Sequence, residues 1–167
     1  MFVYLFCISI TQGGDILVGH LVGQKRHQAA YILGNYFFRR SMIITVTGSI
    51  ILALAGKSIL SAFTDNPEII AMGVWVLVID VFLEVGRTAN IFAVGTLRAT
   101  GDAVYPVIIG IIFQWSIAVG LSYVIGIPLG LGLVGMWVGF ALDENIRGII
   151  LMRRWRSGKW KNKGFVK

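Results

Sequence analysis

The sequence predicts an all-α integral membrane protein of five transmembrane helices. Apolar residues make up 56% of its 167 positions and charged residues only 14%, for a mean hydropathy of +0.79. Its charges gather into short polar punctuation between apolar runs near the ~20 residues that cross a bilayer as helix. Twenty-one glycines and only three prolines complete a composition that soluble domains rarely show. One cysteine, Cys7, excludes an internal disulfide and reads as a small packing residue.

The first span covers about residues 1–22. It opens directly on MFVYLFCISI, without a basic leader or a small-residue cleavage site, so it does not read as a signal peptide. It reads as a helix entered in its middle, or as a chain started at an internal methionine. His20 and His27 near its far end read as interfacial polar residues rather than metal ligands, since no cysteine and histidine spacing suggests a metal site. The second span, about 41–63, follows Tyr31, Tyr36, Phe37, Phe38, Arg39 and Arg40, which suggest a separate interfacial helix. The third, about 67–97, has the clearest start. Asp65 and Asn66 offer cap chemistry, Pro67 suits the first helical position, and Glu68 favours the positive dipole end. Its length of about 46 Å exceeds the ~30 Å hydrocarbon layer, so it tilts or protrudes, with Asp80 and Glu84 near mid-depth. The fourth and fifth spans cover about 104–126 and 132–152, and a basic tail occupies 153–167.

Orientation follows from the basic residues. Lys25, Arg26, Arg39, Arg40 and Arg98 fall on the same side as Arg153, Arg154, Arg156, Lys159, Lys161, Lys163 and Lys167, against Lys57 alone on the other. That side is read as cytoplasmic, which puts the C-terminus inside and the N-terminus outside in a multi-pass protein of the plasma membrane. The tail RRWRSGKWKNK would suggest nucleic acid in a soluble domain. Directly after a span, it reads as an anchor at anionic headgroups with Trp155 and Trp160 at the interface, and no nucleic-acid partner is expected.

Function is sought in the ionisable residues at depth. Asp80, Glu84 and Arg87 are spaced by four and then three, which places them on one helical face. Each charge near a bilayer centre costs about 2.5–3.5 kcal/mol on insertion scales, so the stripe must face protein or water. Asp143, Glu144 and Arg147 lie in the fifth span, and Gln12 and Asp15 in the first. Glu84 with Arg87 and Asp143 with Arg147 are spaced for intrahelical pairs, which could also serve packing alone. Five acids against two arginines leave a surplus of negative charge suited to a cation or proton. Arg87 stabilises Glu84 as an anion, which makes Asp80 the expected proton site and Glu84 the expected permanent anion.

Glycines four apart, Gly19 with Gly23, Gly126 with Gly130 and Gly135 with Gly139, predict close helix packing. Gly130, Gly132 and Gly135 spell GxGxxG, but no strand precedes them. Gly56, Lys57 and Ser58 mimic the end of a phosphate loop, yet Ile51 stands where its first glycine is required. Neither is a nucleotide site.

The connection GTLRATGDAVYP, residues 95–106, resembles the LRGxGDxxxP-type loop of the multidrug and toxic compound extrusion (MATE) transporters. ILVGHLVGQ (16–24) resembles that family's VGQxxGxG helix end and is followed by a basic link and the alanine pair Ala29 and Ala30; GLGLVGMWVGFALDENIRG (130–148) is similar to its final helix. All five spans fall in the family's order. The resemblance implies a twelve-helix antiporter of two lobes that exports cationic aromatic compounds in exchange for Na+ or H+, without an enzymatic reaction or cofactor. This chain would supply helices eight to twelve, part of the C-terminal lobe, and its partners would be the bilayer, the missing N-terminal lobe and cationic small molecules. Some branches place a cation-binding carboxylate on helix ten, for which Asp80 and Glu84 are the candidates; Arg87 stands where others carry a carboxylate. Asp143, Glu144, Arg147, Asp15 and Gln12 would form a secondary polar cluster. The alternatives are a lipid-linked sugar flippase of the same superfamily, which would want a more basic cavity, and a truncated, non-transporting membrane remnant.

Overall fold

A computed structural model describes residues 2–163, and every described regular element is helical. The helices are α1 (Phe2–Gly23), α2 (His27–Ser61), α3 (Pro67–Ala99), α4 (Val104–Phe113), α5 (Ser122–Gly126) and α6 (Gly132–Arg156). A π-helical segment, Gln114–Leu121, joins α4 to α5 without a break, and a short 3-10 turn, Lys159–Asn162, follows α6. Met1 and residues 164–167, including Lys167 of the expected tail, lie outside the described residues.

Helix α2, α3 and the composite 104–126 are each long and apolar enough to cross a membrane. Large side chains such as Leu54, Phe63 and Phe82 are exposed by 83%, 84% and 68%, as expected of a multi-pass protein that meets lipid rather than water. In α6, Asp143, Glu144 and Arg147 interrupt the apolar run.

The expected cap on α3 forms. Asn66 Oδ1 accepts from the backbone N–H groups of Glu68 at 2.9 Å and Ile69 at 3.5 Å, and Pro67 takes the first turn, where its missing N–H leaves no bond unmade. The expected interfacial helix before the second span is corrected. Residues 27–61 form one continuous helix of 35 residues, about 52 Å long, because no proline interrupts it and Arg39 and Arg40 turn outward. Its buried face, Ala30, Gly34, Ser41, Thr45, Ser49 and Gly56, is a row of small side chains at helical spacing.

Helix α3 is the centre of the bundle and packs against α1, α2 and α6. It meets α6 at a crossing of two glycines that the sequence pairs did not include. A Cβ on Gly148 would stand 2.8 Å from the Gly86 carbonyl oxygen, and one on Gly86 would stand 2.6 Å from the Asn145 Cα, so only hydrogen permits this approach. Asn145 Nδ2 donates across the crossing to the Phe82 carbonyl at 3.0 Å. Of the expected pairs, Gly135 and Gly139 do pack tightly, against Ile125 and Ser122. Gly23 and Gly130 have nothing near them, and Gly130 serves a turn instead, at φ +71.

The basic end of the bundle is closed by aromatic packing, which corrects the expected interfacial role of Trp155 and Trp160. Both are fully buried. The chain turns at Gly158 (φ 69), so that the Trp160 ring stacks on Trp155 at 4.6 Å and its Nε1 donates to the Trp155 carbonyl at 2.9 Å. Tyr31 stacks on Trp155, and Phe92 meets the same ring edge-on. Each indole N–H finds a partner, Asn35 Oδ1 for Trp155, so rings suited to a headgroup layer are stable inside.

Candidate functional site

The site is built on the facing sides of α3, α6 and the π-helical segment. Helical spacing delivers both expected intrahelical pairs. Arg87 Nη1 donates to Glu84 Oε1 at 2.5 Å, and Arg147 Nη2 donates to Asp143 Oδ2. Arg147 also reaches Glu144 Oε1 at 3.5 Å, and Glu144 Oε2 accepts from Asn90 Nδ2 at 2.7 Å, which ties α6 to α3.

Four of these side chains line one cavity of about 270 Å3, with Glu84 and Asn90 bonded to them from outside the lining. Arg87 enters from α3, and Asp143, Glu144 and Arg147 enter from α6. Trp137 and Phe140 give it an aromatic wall, and Gln114 and Ala118 bring the π-helical segment to its rim. Behind the wall, Asp80 Oδ1 accepts from Trp137 Nε1 at 3.3 Å. Of the carboxylates, only Asp143 and Glu144 line the cavity, where they balance Arg87 and Arg147; Glu84, bonded to Arg87, and Asp80, bonded to Trp137, bring the acids in and next to the site to four against two guanidiniums.

Burial divides the stripe on α3. Glu84 is 2% exposed, while Asp80 is half-buried. Among the described residues, nothing donates a hydrogen bond to the buried Glu84 Oε2 or Asp143 Oδ1, so each carboxylate keeps one oxygen open beside the one that its arginine holds. A proton or a hard cation is the chemistry such oxygens take. Among the described residues, no group of three or more His, Cys, Asp or Glu side chains could hold a metal ion by itself. On the other side of Glu84, the interior holds small hydroxyls: Thr88 Oγ1 and Thr45 Oγ1 are 2.8 Å apart, and the buried Cys7 thiol lies 3.7 Å from Thr88.

The expected secondary cluster is corrected in two members. Gln12 is exposed and Asp15 lies elsewhere, because α1 packs on α2 and on a different stretch of α3. The Asp15 carboxylate occupies the space left by the missing side chain of Gly95, in the field of Arg98. Asn90, Trp137 and Gln114 were not foreseen. Asn90 had a signal, since it continues the 80/84/87 stripe at the next interval of three. Trp137 and Gln114 had none, for their roles depend on how helices face one another.

Asp102, inside the connection between α3 and α4, was also missed as a contact. Its carboxylate is buried and accepts from Arg154 Nε at 2.7 Å and Nη2 at 3.3 Å, while the guanidinium lies 4.6 Å above the Tyr105 ring. These bonds hold Arg154 above its ordinary pKa and clamp the connection to the end of α6.

A family model described as MatE matches residues 1–131. An uncharacterized transporter, YisQ, of Bacillus subtilis is 39% identical over 166 residues, covering 99% of this chain and 36% of its own. A probable multidrug resistance protein NorM of Thermotoga maritima is 30% identical, covering 98% of this chain and 35% of its own, and a multidrug resistance protein NorM of Vibrio vulnificus is 24% identical, covering 83% and 31%. The chain therefore spans about a third of the length of the curated relatives it matches. No solved structure matches it significantly.

Proposed function

Because the chain belongs to the MatE family, we propose that it forms part of a cation-coupled multidrug efflux antiporter of the plasma membrane, with its basic end cytoplasmic. The complete transporter would export cationic aromatic compounds in exchange for Na+ or H+, and the rest of the polypeptide would supply the opposing lobe. One observation carries this reading: a cavity within the bundle is lined by Arg87, Arg147, Asp143 and Glu144 beside the aromatic rings of Trp137 and Phe140, and two further carboxylates, Glu84 and Asp80, bond to the lining residues Arg87 and Trp137. The acidic surplus favours a cation, and the ring faces attract one that is aromatic or desolvated.

Glu84 is the preferred ion carrier of the stripe and Asp80 its second acid. Glu84 is buried with one oxygen unbonded, whereas Asp80 is half-buried and already accepts from Trp137. Arg87 and Arg147 would hold the anions in place while the second oxygens of Glu84 and Asp143 exchange their ion. The π-helical Gln114–Leu121 lies at the rim of the same cavity. Its looser hydrogen bonding offers a place where the composite helix bends as the site turns from one side to the other.

The test is efflux of a cationic dye from cells or proteoliposomes carrying the full-length transporter. Glu84→Gln keeps shape and removes the exchangeable charge, so dye efflux should fall to background while the protein inserts normally, and Glu84→Asp should restore part of it. Unchanged efflux in Glu84→Gln would return the Glu84 and Arg87 pair to a packing role.

A further inference from the structure

A second cavity, of about 280 Å3, runs along the outside of the bundle where α2, α3 and α6 meet. Phe38 and Met42 of α2, Val85 and Ala89 of α3, and Ile149 and Met152 of α6 make its sides apolar. The Gly86 and Gly148 crossing forms its floor, since the two helices touch there without side chains between them. At its mouth stand Arg153 and Arg156.

Three details of this furrow point to one kind of occupant. The first is length. From Asn145 at one end to Arg156 at the other, α6 rises about 16 Å, roughly half of a ~30 Å hydrocarbon layer and so the depth of one leaflet. The second is the division of labour among the three arginines at the end of α6. Arg154 turns away to Asp102, whereas Arg153 and Arg156, three apart on one face, are exposed and pair with no carboxylate among the described residues. The third is chemistry. Planar guanidinium forks match phosphate oxygens in pairs, and a cation at the lip of an apolar furrow is complementary to an anionic head on an apolar tail.

We infer that this furrow binds an anionic phospholipid of the leaflet facing the basic end, with one acyl chain along α3 and α6 and the phosphate held between Arg153 and Arg156. The inference rests on the chain's place in a bilayer and is independent of efflux. The site is distinct from a general basic surface, because the tail lysines Lys159 and Lys163 are exposed but do not line this furrow.

The full-length transporter, reconstituted with equal phosphatidylglycerol and phosphatidylcholine of identical acyl chains and released into native mass spectrometry, should retain phosphatidylglycerol preferentially. Removing both guanidiniums with Arg153→Gln and Arg156→Gln should weaken that retention about thirtyfold, at roughly fivefold for each charge. Val85→Trp, which fills the furrow without changing charge, should weaken it as well. Ile149→Trp is a second filling variant at a 53% exposed position, where the larger ring has room to be accommodated without moving the backbone. Lys159→Gln with Lys163→Gln should leave retention unchanged, and inorganic phosphate should not displace the lipid. Equal retention of phosphatidylcholine, an equal loss in the lysine variant, indifference to both filling variants, displacement by phosphate, or occupation of the furrow by another helix of the transporter would each overturn the assignment.

Discussion

Replacing Asp102 by Asn should loosen the connection between α3 and α4 from the end of α6. The Asp102 carboxylate is 5% exposed and its Arg154 partner 17%, so water replaces little of what the pair provides. Two charge-assisted bonds, at 2.7 and 3.3 Å, join them. Hydrogen bonds to charged groups contribute about 1.5–3 kcal/mol net, and a fully buried ion left without its partner costs about 3–5 kcal/mol. Arg154 stands at the membrane edge and can swing its guanidinium outward, which places the coupling toward the lower figure, about 2 kcal/mol. The assay is a double-mutant cycle of Asp102→Asn, Arg154→Gln and the pair, read as reversible unfolding in mixed micelles of rising SDS content. Each single variant should be destabilised and the double variant should lose little more than either, with Arg154→Lys failing to rescue because an ammonium cannot reproduce the fork. Strict additivity, with a coupling below about 0.5 kcal/mol, would refute the clamp.

Two further outcomes follow from the packing. Trp160→Ala removes a fully buried ring stacked on Trp155, a loss of about 3–5 kcal/mol, and should release the turn after α6. Trypsin should then cut after Lys159 and Lys161 upwards of about a hundredfold faster, and an unchanged rate would show that the stack does not hold the tail. Thr88→Val keeps the volume but removes the hydroxyl shared with Thr45 and approached by Cys7. It should lower stability in the same micelle titration by about 0.6 kcal/mol and by no more than about 1.7, whereas a larger drop would mean that Thr88 supports the Glu84 site as well.

Much of the fold was legible along the chain because membrane helices announce themselves by length and apolarity. The cap at Asn66 and the two intrahelical ion pairs were equally legible, since neighbours three and four apart on a helix meet wherever the helix goes. The interfacial helix proposed before the second span was not. Arginines at 39 and 40 looked like a boundary, yet a helix tolerates charges that turn outward, and its hydrogen-bond ladder runs through them. Tryptophans in a basic tail looked like headgroup anchors, yet Gly158 turns the chain back and both rings find partners inside.

By itself the sequence determined an all-helical membrane protein and the surplus of acidic side chains within its apolar helices. Tertiary structure alone decided which charges share a cavity. Arg87 meets Asp143, Glu144 and Arg147, while Asp15 and Gln12 stand apart, and Asp102 finds Arg154 across 52 positions of chain. Periodicity fixes which residues share a face of one helix, but not how that helix is rotated or displaced against the next. Here the rotation is set where backbones touch, at Gly86 and Gly148, and a contact made of absent side chains is read only once both helices are in place.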